Sequence, residues 1–336
     1  MDSNVTMYNA SDGRRVRPRR DLKNHWCFLP GVVPLKPGLR PPITPKSVCE
    51  MGSSQSSPGS VSATVTTQAQ LQSFQYVAQH AAAAYCNSAG SLTAGTLISC
   101  GNDACPDLEM NRAFLEGILD ANDGTGTAGF VGVDPVQKVI IVAFKGTDNG
   151  ATFAYDLEAV TTDTNLCDGC MIHGGFATSF DNMHPAVTKL VKSARKSHPD
   201  FSIVTTGHSL GAAMATMAGA WLRQDGYPCD IFTYGSPRIG NEKLASYISQ
   251  QEGNEYRITH LNDPVPRLPG HWLGYRHTDT EYWLSTGQAT TIDYTISEIK
   301  ICKGTYNTNC NGAGSMGTSY TPHGYYFRKI GACRKT

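Results

Sequence analysis

Residues 202–215 read Ser-Ile-Val-Thr-Thr-Gly-His-Ser-Leu-Gly-Ala-Ala-Met-Ala. The β-branched run 203–206 is typical of a buried strand, and the small residues from Gly211 onward are typical of a helix packed closely on it. Between them lies the pattern Gly-x-Ser-x-Gly, centred on Ser209. A sharp strand-to-helix turn of this kind exposes the serine hydroxyl at the tip of a sheet, beside the positive end of a helix dipole. We therefore predict Ser209 as a nucleophile, with a plain glycine-rich turn as the alternative.

The segments on either side of this turn alternate between strand and helix patterns. Apolar residues recur at helical spacing from Leu71 to Ala84, after the cap candidates Thr66 and Thr67. Further strands are predicted at 129–133, 138–144, 230–234 and 256–261, and further helices at 175–197, 210–224 and 241–251. This order predicts an α/β fold with a mainly parallel sheet and helices on both of its faces.

Composition limits the classes of protein to which the chain can belong. Lys and Arg number 28, as do Asp and Glu, so bulk charge favours neither a nucleic-acid partner nor an anionic surface. No apolar run reaches the roughly 20 residues of a membrane span, so no transmembrane segment is expected. Residues 1–61 are basic and rich in Pro, Ser and Gly, and we expect a disordered tail or propeptide there. Residues 62–336 then form one catalytic domain.

Eleven cysteines are many for a cytosolic enzyme and favour an oxidising compartment. The N-terminus has no signal-peptide pattern, so the expectation of export depends on these cysteines. A zinc site at Cys167, Cys170 and His173 is the alternative. It lacks a clear fourth ligand, and we predict disulfides and no metal.

A serine nucleophile needs a base and an acid, which follow the serine in the order acid then histidine in this fold class. Active groups gather where parallel strands end, and Asp263 directly follows the predicted strand 256–261. Asp263 is therefore the preferred acid. His323, in a late loop, is the favoured base, while His271 and His277 remain open as alternatives.

Five motifs now occur together in one order. They are Thr206-Gly-His-Ser-Leu-Gly211, Tyr234-Gly-Ser-Pro-Arg-Ile-Gly-Asn241, Tyr256-Arg-Ile-Thr-His-Leu-Asn-Asp-Pro-Val-Pro-Arg-Leu-Pro269, Glu281-Tyr-Trp283 and Pro322-His-Gly-Tyr-Tyr-Phe327. Over residues 65–336 the chain resembles the filamentous-fungal class 3 lipases, a family of α/β-hydrolases that also includes feruloyl esterases. The resemblance implies Ser209, Asp263 and His323 as the catalytic triad.

The resemblance also implies the parts around the triad. Thr147, in Lys145-Gly146-Thr147, and the N–H of Leu210 would form the oxyanion hole. Residues 148–157 would form a short lid, in which Phe153, Tyr155 and Leu157 contact the substrate. The implied disulfides are Cys86–Cys333, Cys100–Cys105 and Cys167–Cys170, with Cys302–Cys310 as a local addition.

The function that follows is a secreted triacylglycerol lipase or carboxylesterase, acting as a monomer on lipid esters at an oil–water interface without cofactor. A feruloyl esterase and a catalytically inactive secreted binding protein are the alternatives. The apolar lid residues Phe153, Tyr155 and Leu157 favour the lipase, because they would give the lid an apolar underside.

Overall fold

In the computed structural model, the described residues are 66–333, apart from 89, 123, 125, 148–159 and 315, together with the backbone of five short strands within residues 7–34. The chain separates into two compact units, Met1–Val61 and Ser62–Thr336. The strands of the first unit are β1 Met7–Asn9, β2 Arg15–Val16, β3 Arg19–Arg20, β4 Trp26–Cys27 and β5 Val32–Pro34. Strand β1 pairs with β2 and β5, and β3 pairs with β4, all antiparallel.

The second unit contains the helices and strands that the sequence predicts, with others between them. The strands are β6 Phe114–Asp120, β7 Ala128–Asp134, β8 Val139–Phe144, β9 Thr161–Asp163, β10 Met171–His173, β11 Ser202–His208, β12 Asp230–Tyr234, β13 Gly240–Asn241, β14 Glu255–His260, β15 Tyr275–Arg276, β16 Glu281–Leu284 and β17 Ile299–Cys302. The helices are α1 Gln68–Ala83, α2 Pro106–Met110, α3 Gly174–Ser197, α4 Leu210–Gln224 and α5 Glu242–Gln250.

Local capping explains where two of the predicted helices begin. The Thr67 side chain accepts a hydrogen bond from the Gln70 N–H at 3.1 Å, and the Gln70 side chain accepts one from the Thr67 N–H at 2.9 Å. This reciprocal capping box satisfies two of the helix's unpaired donors and starts α1 at Gln68. Asn241 caps α5 in the simpler way, by accepting from the Leu244 N–H at 3.0 Å.

The central sheet of the second unit has the order β17-β16-β14-β12-β11-β8-β7-β6 in the described part of the chain. Strands β8, β11, β12, β14 and β16 run parallel to one another. The outer strands β6, β7 and β17 are antiparallel to their neighbours. The predicted mainly parallel α/β sheet is confirmed. Strands β6, β16 and β17 are not among the predicted strands, because β16 and β17 have four residues each and β6 is only partly buried, so their periodicity is weak.

The side chains of β8 show why its sequence is apolar throughout. Ile141 and Ala143 lie in the cluster that includes α1, whereas Ile140, Val142 and Phe144 lie in the cluster that includes α3 and α4. A strand covered by helices on both faces buries every residue, as β8 does. The helices therefore cover both faces of the sheet, as predicted.

Disulfides join distant and local parts of the second unit. Cys86 is bonded to Cys333 across 247 residues, and three further bonds close short loops. These are Cys100–Cys105, Cys167–Cys170 and Cys302–Cys310. They are the four pairs that the sequence analysis names. Cys229 is a buried free thiol, and burial raises its pKa to about 11.

None of the helices in the described part of the chain combines the length and the apolar composition that a membrane span requires.

Candidate active site

Ser209 lies at the junction of β11 and α4 with a backbone conformation that non-glycine residues rarely adopt. Its φ is 58° and its ψ is −126°. Such a conformation costs of the order of 1–3 kcal/mol and persists only where the surroundings hold it. Here the Ser209 N–H donates to the Tyr234 carbonyl at 3.0 Å, so that β12 fixes the turn. This conformation forms the sharp strand-to-helix turn that the sequence predicts at Ser209.

The glycines around Ser209 allow three elements to approach closely. A side-chain carbon at Gly207 would lie 2.2 Å from the Gly211 oxygen, and one at Gly211 would lie 2.2 Å from the Phe144 oxygen. Both distances are too short for any side chain. The first turn of α4 therefore packs directly on the backbone of β11 and β8, as the Gly-x-Ser-x-Gly pattern predicts.

Asp263 and His323 meet behind this turn although they lie 60 residues apart in sequence. Asp263 follows β14, and His323 lies in the short 3-10 helix Pro322–Gly324. His323 Nδ1 is 2.8 Å from Asp263 Oδ2, and both side chains are buried. Because the ionised carboxylate only accepts, Nδ1 donates, which leaves Nε2 as the proton acceptor of the ring.

The other histidines after Ser209 have different partners. His277 Nε2 donates to the Pro266 carbonyl at 2.6 Å, and His260 Nδ1 donates to the Pro322 carbonyl at 2.9 Å. The His271 ring packs edge-on against Trp272. Of the bases that the sequence left open, the structure brings His323 to Asp263, and not His271 or His277.

Gly235 connects the serine turn to the acid–base pair. It directly follows Tyr234, whose carbonyl holds the Ser209 N–H. A side-chain carbon at Gly235 would lie 3.0 Å from both His323 Nδ1 and Asp263 Oδ2. In the part of the chain that the structure describes, Ser209 Oγ and His323 Nε2 are buried atoms with no hydrogen-bond partner. A hydroxyl, an imidazole and a carboxylate thus lie together at one end of the parallel strands.

His208 holds the loop that contains His323, and the sequence did not indicate this role. Its Nε2 is 2.6 Å from the His323 carbonyl oxygen, and its Nδ1 is 2.8 Å from the Tyr85 hydroxyl. A carbonyl can only accept, so in neutral His208 Nε2 donates and Nδ1 accepts from Tyr85. Tyr85 lies 123 residues before His208, and no local pattern in the sequence indicates this contact.

Tyr326 and Asn311 hold Asp263 and were likewise missed as site residues. Tyr326 donates its hydroxyl to Asp263 Oδ2, and Asn311 Nδ2 donates to the Asp263 carbonyl at 3.0 Å. Tyr326 is fully buried, and this burial together with the Asp263 carboxylate raises its pKa well above the usual value. Tyr326 therefore stays protonated as a donor. Its place in the Pro322–Phe327 motif is the one signal that could have found it.

Thr147 and Leu210 flank Ser209 on two sides. Thr147 follows Gly146, at which a side-chain carbon would lie 3.1 Å from Ser209 Cβ. Leu210 is the first residue of α4, and the first N–H groups of a helix have no acceptor within it. The backbone at Gly146 and the first turn of α4 therefore both lie beside the serine. The predicted lid residues Phe153, Tyr155 and Leu157 lie outside the described residues.

The cysteines that could hold a metal ion in the described residues are engaged in disulfides. One group of three lies within 4.8 Å, the sulfur atoms of Cys86, Cys100 and Cys333, and all three are in disulfides. Cys167 and Cys170 are bonded to each other, and His173 Nδ1 accepts from the Phe176 N–H at 3.3 Å. The zinc alternative at these three residues therefore has no thiolate ligands.

Known proteins resemble the chain over most of its length. The family model described as lipase (class 3) matches residues 141–272. The secreted mono- and diacylglycerol lipase 1 of Fusarium solani is 42% identical over 270 residues, which cover 80% of this chain and 79% of that protein. The secreted mono- and diacylglycerol lipase A of Penicillium cyclopium is 35% identical over 278 residues, covering 82% of this chain and 90% of that protein.

Solved structures show the same likeness. The crystal structure of a mono- and diacylglycerol lipase from Aspergillus oryzae matches with a TM-score of 0.74 and 35% identity, covering 80% of this chain and all of that one. The α/β-hydrolase fold is thereby confirmed. The relatives are named secreted lipases, and the four disulfides accord with an oxidising compartment. The chain belongs to the class 3 lipase family and is a secreted serine lipase that hydrolyses lipid esters.

Proposed function

We propose that Ser209, His323 and Asp263 are the nucleophile, the general base and the orienting acid of the lipase reaction. The observation that carries this proposal is the 2.8 Å contact between His323 Nδ1 and Asp263 Oδ2, next to a strained serine at a strand–helix turn. The contact fixes the tautomer of His323, so Nε2 has a free lone pair for the serine proton. An unaided serine hydroxyl is a weak nucleophile and needs such a base.

The reaction then proceeds by acyl transfer in two halves. His323 Nε2 takes the Ser209 proton as Oγ attacks the ester carbonyl, and the resulting imidazolium is stabilised by Asp263. The tetrahedral intermediate collapses as His323 returns the proton to the leaving alcohol. Water, deprotonated by His323, then attacks the acyl-enzyme, and the fatty acid leaves as Ser209 recovers its proton.

The test compares substitutions at the triad with substitutions at matched positions. Ser209→Ala and His323→Ala should lower kcat on p-nitrophenyl butyrate by about 10⁴-fold or more. Ser202→Ala, at the exposed start of the same strand, and His271→Ala should keep full activity. A fluorophosphonate should label the parent protein and fail to label Ser209→Ala. Substantial activity in Ser209→Ala would exclude the assignment.

We further propose Thr147 and the Leu210 N–H as the oxyanion hole. The proposal is supported by the position of Gly146, against Ser209, and by the unpaired N–H groups that open α4. Thr147→Val removes the hydroxyl, retains the β-branched shape and leaves the main-chain N–H in place. Loss of one oxyanion donor typically lowers kcat by about 10²-fold, so a loss of that order with KM unchanged is expected. Thr164→Val, at another loop threonine, is the control.

Partial glycerides are the proposed substrates within the class of lipid esters. The support is that the Fusarium and Penicillium relatives are named mono- and diacylglycerol lipases. Initial rates on mono-olein, diolein and triolein emulsions, with methyl ferulate as a contrast, test the proposal. Higher rates on mono-olein and diolein than on triolein are expected. A preference for triolein would contradict the substrate assignment, and a preference for methyl ferulate would favour a feruloyl esterase.

We propose that the enzyme works as a monomer at an oil–water interface, with residues 148–157 as its lid. The candidate triad comes entirely from one chain, which supports the monomer. The apolar residues Phe153, Tyr155 and Leu157 in the sequence support the lid. Light scattering of the active protein tests the monomer. Phe153→Ser should lower the rate on emulsions and spare the rate on dissolved p-nitrophenyl butyrate.

We also propose that residues 62–336 carry the whole activity and that residues 1–61 are a dispensable tail. The support is that Thr147, Ser209, Asp263 and His323 all lie in the second unit. Mass spectrometry of the secreted, active protein tests this division by locating its N-terminus.

A further inference from the structure

A cavity of about 180 Å³ lies apart from the candidate triad. It is lined by three arginines, Arg238, Arg257 and Arg267, and by His271 and His277. No Asp or Glu is among its described lining residues, and neither Ser209, Asp263 nor His323 lines it. We call it the arginine pocket.

The positive charge of the arginine pocket is only partly balanced. Arg257 pairs with Glu281 at 3.3 Å, and both side chains are buried. Arg238 and Arg267 have no ion-pair partner within 4.0 Å among the described residues, and they donate to main-chain carbonyls instead. Arg238 Nη1 donates to the Pro269 oxygen at 2.9 Å, and Arg267 Nη2 donates to the Ala313 oxygen at 2.8 Å. Two of the three guanidinium groups therefore have no carboxylate in direct contact, although the charge of Glu281 reaches both.

Arg267 combines deep burial with a place on the pocket wall. Its relative exposure is 8%, and it lines the cavity together with Arg238 and Arg257. An anion in the pocket would supply a counter-charge to these arginines, and guanidinium groups match the oxygens of phosphate and carboxylate.

The arginines also repel one another. Burial, first, and then the charge of Arg257 lower the pKa of Arg238 to about 10. Glu281 opposes this shift, and Arg276 and Arg267 add smaller lowering effects. Burial and the charges of Arg257 and Arg238 lower the pKa of His277 well below its usual value, so that His277 is neutral. The pocket thus remains cationic through its arginines at neutral pH.

Exposed apolar side chains form a rim along the arginine pocket. Trp272 is 70% exposed, Tyr306 54% and Met316 42%, and all three line the cavity. Leu273, beside Trp272, is 52% exposed. The His271 ring stands edge-on to both Trp272 and Tyr306, with centroids 5.4 and 5.2 Å away. Exposed Trp and Tyr next to basic groups are typical of segments that lie at the boundary between lipid headgroups and acyl chains.

We propose that the arginine pocket binds the phosphate of an anionic phospholipid while Trp272, Leu273 and Tyr306 enter the surrounding lipid. The pocket supplies the charge complement of the headgroup, and the rim supplies the apolar contact that a free phosphate ion would not use. The cavity holds several water-sized volumes, which is more room than a bare carboxylate needs. The lipase would thereby be retained on anionic surfaces by a site separate from the one that hydrolyses esters.

The test measures binding of the full chain to vesicles that it cannot hydrolyse. Vesicles of ether-linked phosphatidylcholine, with or without ether-linked phosphatidylglycerol, contain no ester bond, so the measurement is independent of the triad assignment. Thr308 is exposed and lines the pocket, and Thr308→Asp adds a negative charge without removing any arginine contact. It should weaken binding to the anionic vesicles about fivefold, the effect expected of one elementary charge at such a surface. Thr308→Asn should bind as the parent does.

Trp272→Ala, the second variant, distinguishes the contribution of the apolar rim to vesicle binding from the contribution of the pocket's charge. It should weaken binding to both kinds of vesicle, because the rim contacts acyl chains whatever the headgroup. Melting curves of each variant establish that it is folded, and Met316→Asp replaces Thr308→Asp if that variant melts early. Equal binding of the parent protein to neutral and anionic vesicles would overturn the proposal, as would full binding by both charged variants. If the protein bound inorganic phosphate but showed no preference for anionic vesicles, the pocket would be a site for free phosphate. That result would equally overturn the proposal.

Discussion

Tyr326 donates its hydroxyl to Asp263 Oδ2, the same carboxylate oxygen that lies 2.8 Å from His323 Nδ1. The other oxygen, Oδ1, accepts from the Val265 N–H at 2.9 Å. The carboxylate is fully buried, and these three donors satisfy it. Asp263 is therefore held in one orientation toward His323, and Tyr326 is a positioning residue of the site.

Removing the Tyr326 hydroxyl should lower the rate without unfolding the protein. Tyr326→Phe retains the buried ring and deletes one hydrogen bond to a charged group. Such bonds are worth about 1.5–3 kcal/mol. A tenfold fall in kcat corresponds to the lower end of this range. We expect kcat on p-nitrophenyl butyrate to fall about tenfold with KM unchanged. Tyr325→Phe, at the adjacent ring, should leave kcat unchanged. Equal kcat values for the two variants would show that Tyr326 does not position Asp263.

The parts of the site that the sequence predicted depend on local structure. A strand, a glycine turn and a helix lie within 202–224, and Asp263 follows its strand directly, so their positions are fixed by neighbours in sequence. His323 differs, since its loop is held by His208 and His260 through the carbonyls of His323 and Pro322. Those contacts span more than 60 residues, so the sequence alone left His271 and His277 open. Tyr85, Asn311 and the role of Tyr326 depend on similar long-range contacts.

Gly235 should be essential for activity because of what surrounds it. Its φ is +60°, and a side-chain carbon there would meet Tyr326 Oη at 2.9 Å and His323 Nδ1 at 3.0 Å. Gly235→Ala should therefore displace His323 and lower kcat by about 100-fold, the size of effect that misplacement by 1 Å produces. Stability should also fall by about 1–3 kcal/mol because of the positive φ.

Gly226 provides the matched control for this substitution. Its φ is +83°, and an added carbon would have no atom within 4 Å. Gly226→Ala should thus lose a similar amount of stability in urea unfolding and keep full kcat. A loss of activity in both variants would mean that backbone strain, and not contact with His323, explains the effect at Gly235.

The four disulfides should differ in their contribution to stability according to the loops they close. In the chain-entropy account, a cross-link stabilises by restricting the unfolded chain, and the effect grows with loop length. The separation is 247 residues for Cys86–Cys333 and 8 for Cys302–Cys310. The double variant Cys86→Ala/Cys333→Ala should therefore lose about 5 kcal/mol, and Cys302→Ala/Cys310→Ala about 2.5 kcal/mol. Urea unfolding of both variants measures the order, and the reverse order would contradict this account.

Glu255 should make the protein less stable as the pH rises. Both of its carboxylate oxygens are buried. Burial is the main cause that raises its pKa to about 7, from a usual value near 4.5. Between these two values the folded form holds a proton that the unfolded form has lost. Stability contributed by this group is therefore complete below about pH 4.5 and is lost as the pH rises to about 7.

Glu255→Gln tests this pH dependence because it mimics the protonated acid at every pH. The free energy of unfolding of the parent, minus that of the variant, should fall between pH 5 and pH 7 by up to about 3 kcal/mol and then level off. Above pH 7 the variant should be the more stable protein. Urea unfolding at pH 5, 6, 7 and 8 measures the difference, in which the other titrating groups cancel. A difference that does not change with pH would mean that Glu255 ionises equally well in the folded and unfolded chains.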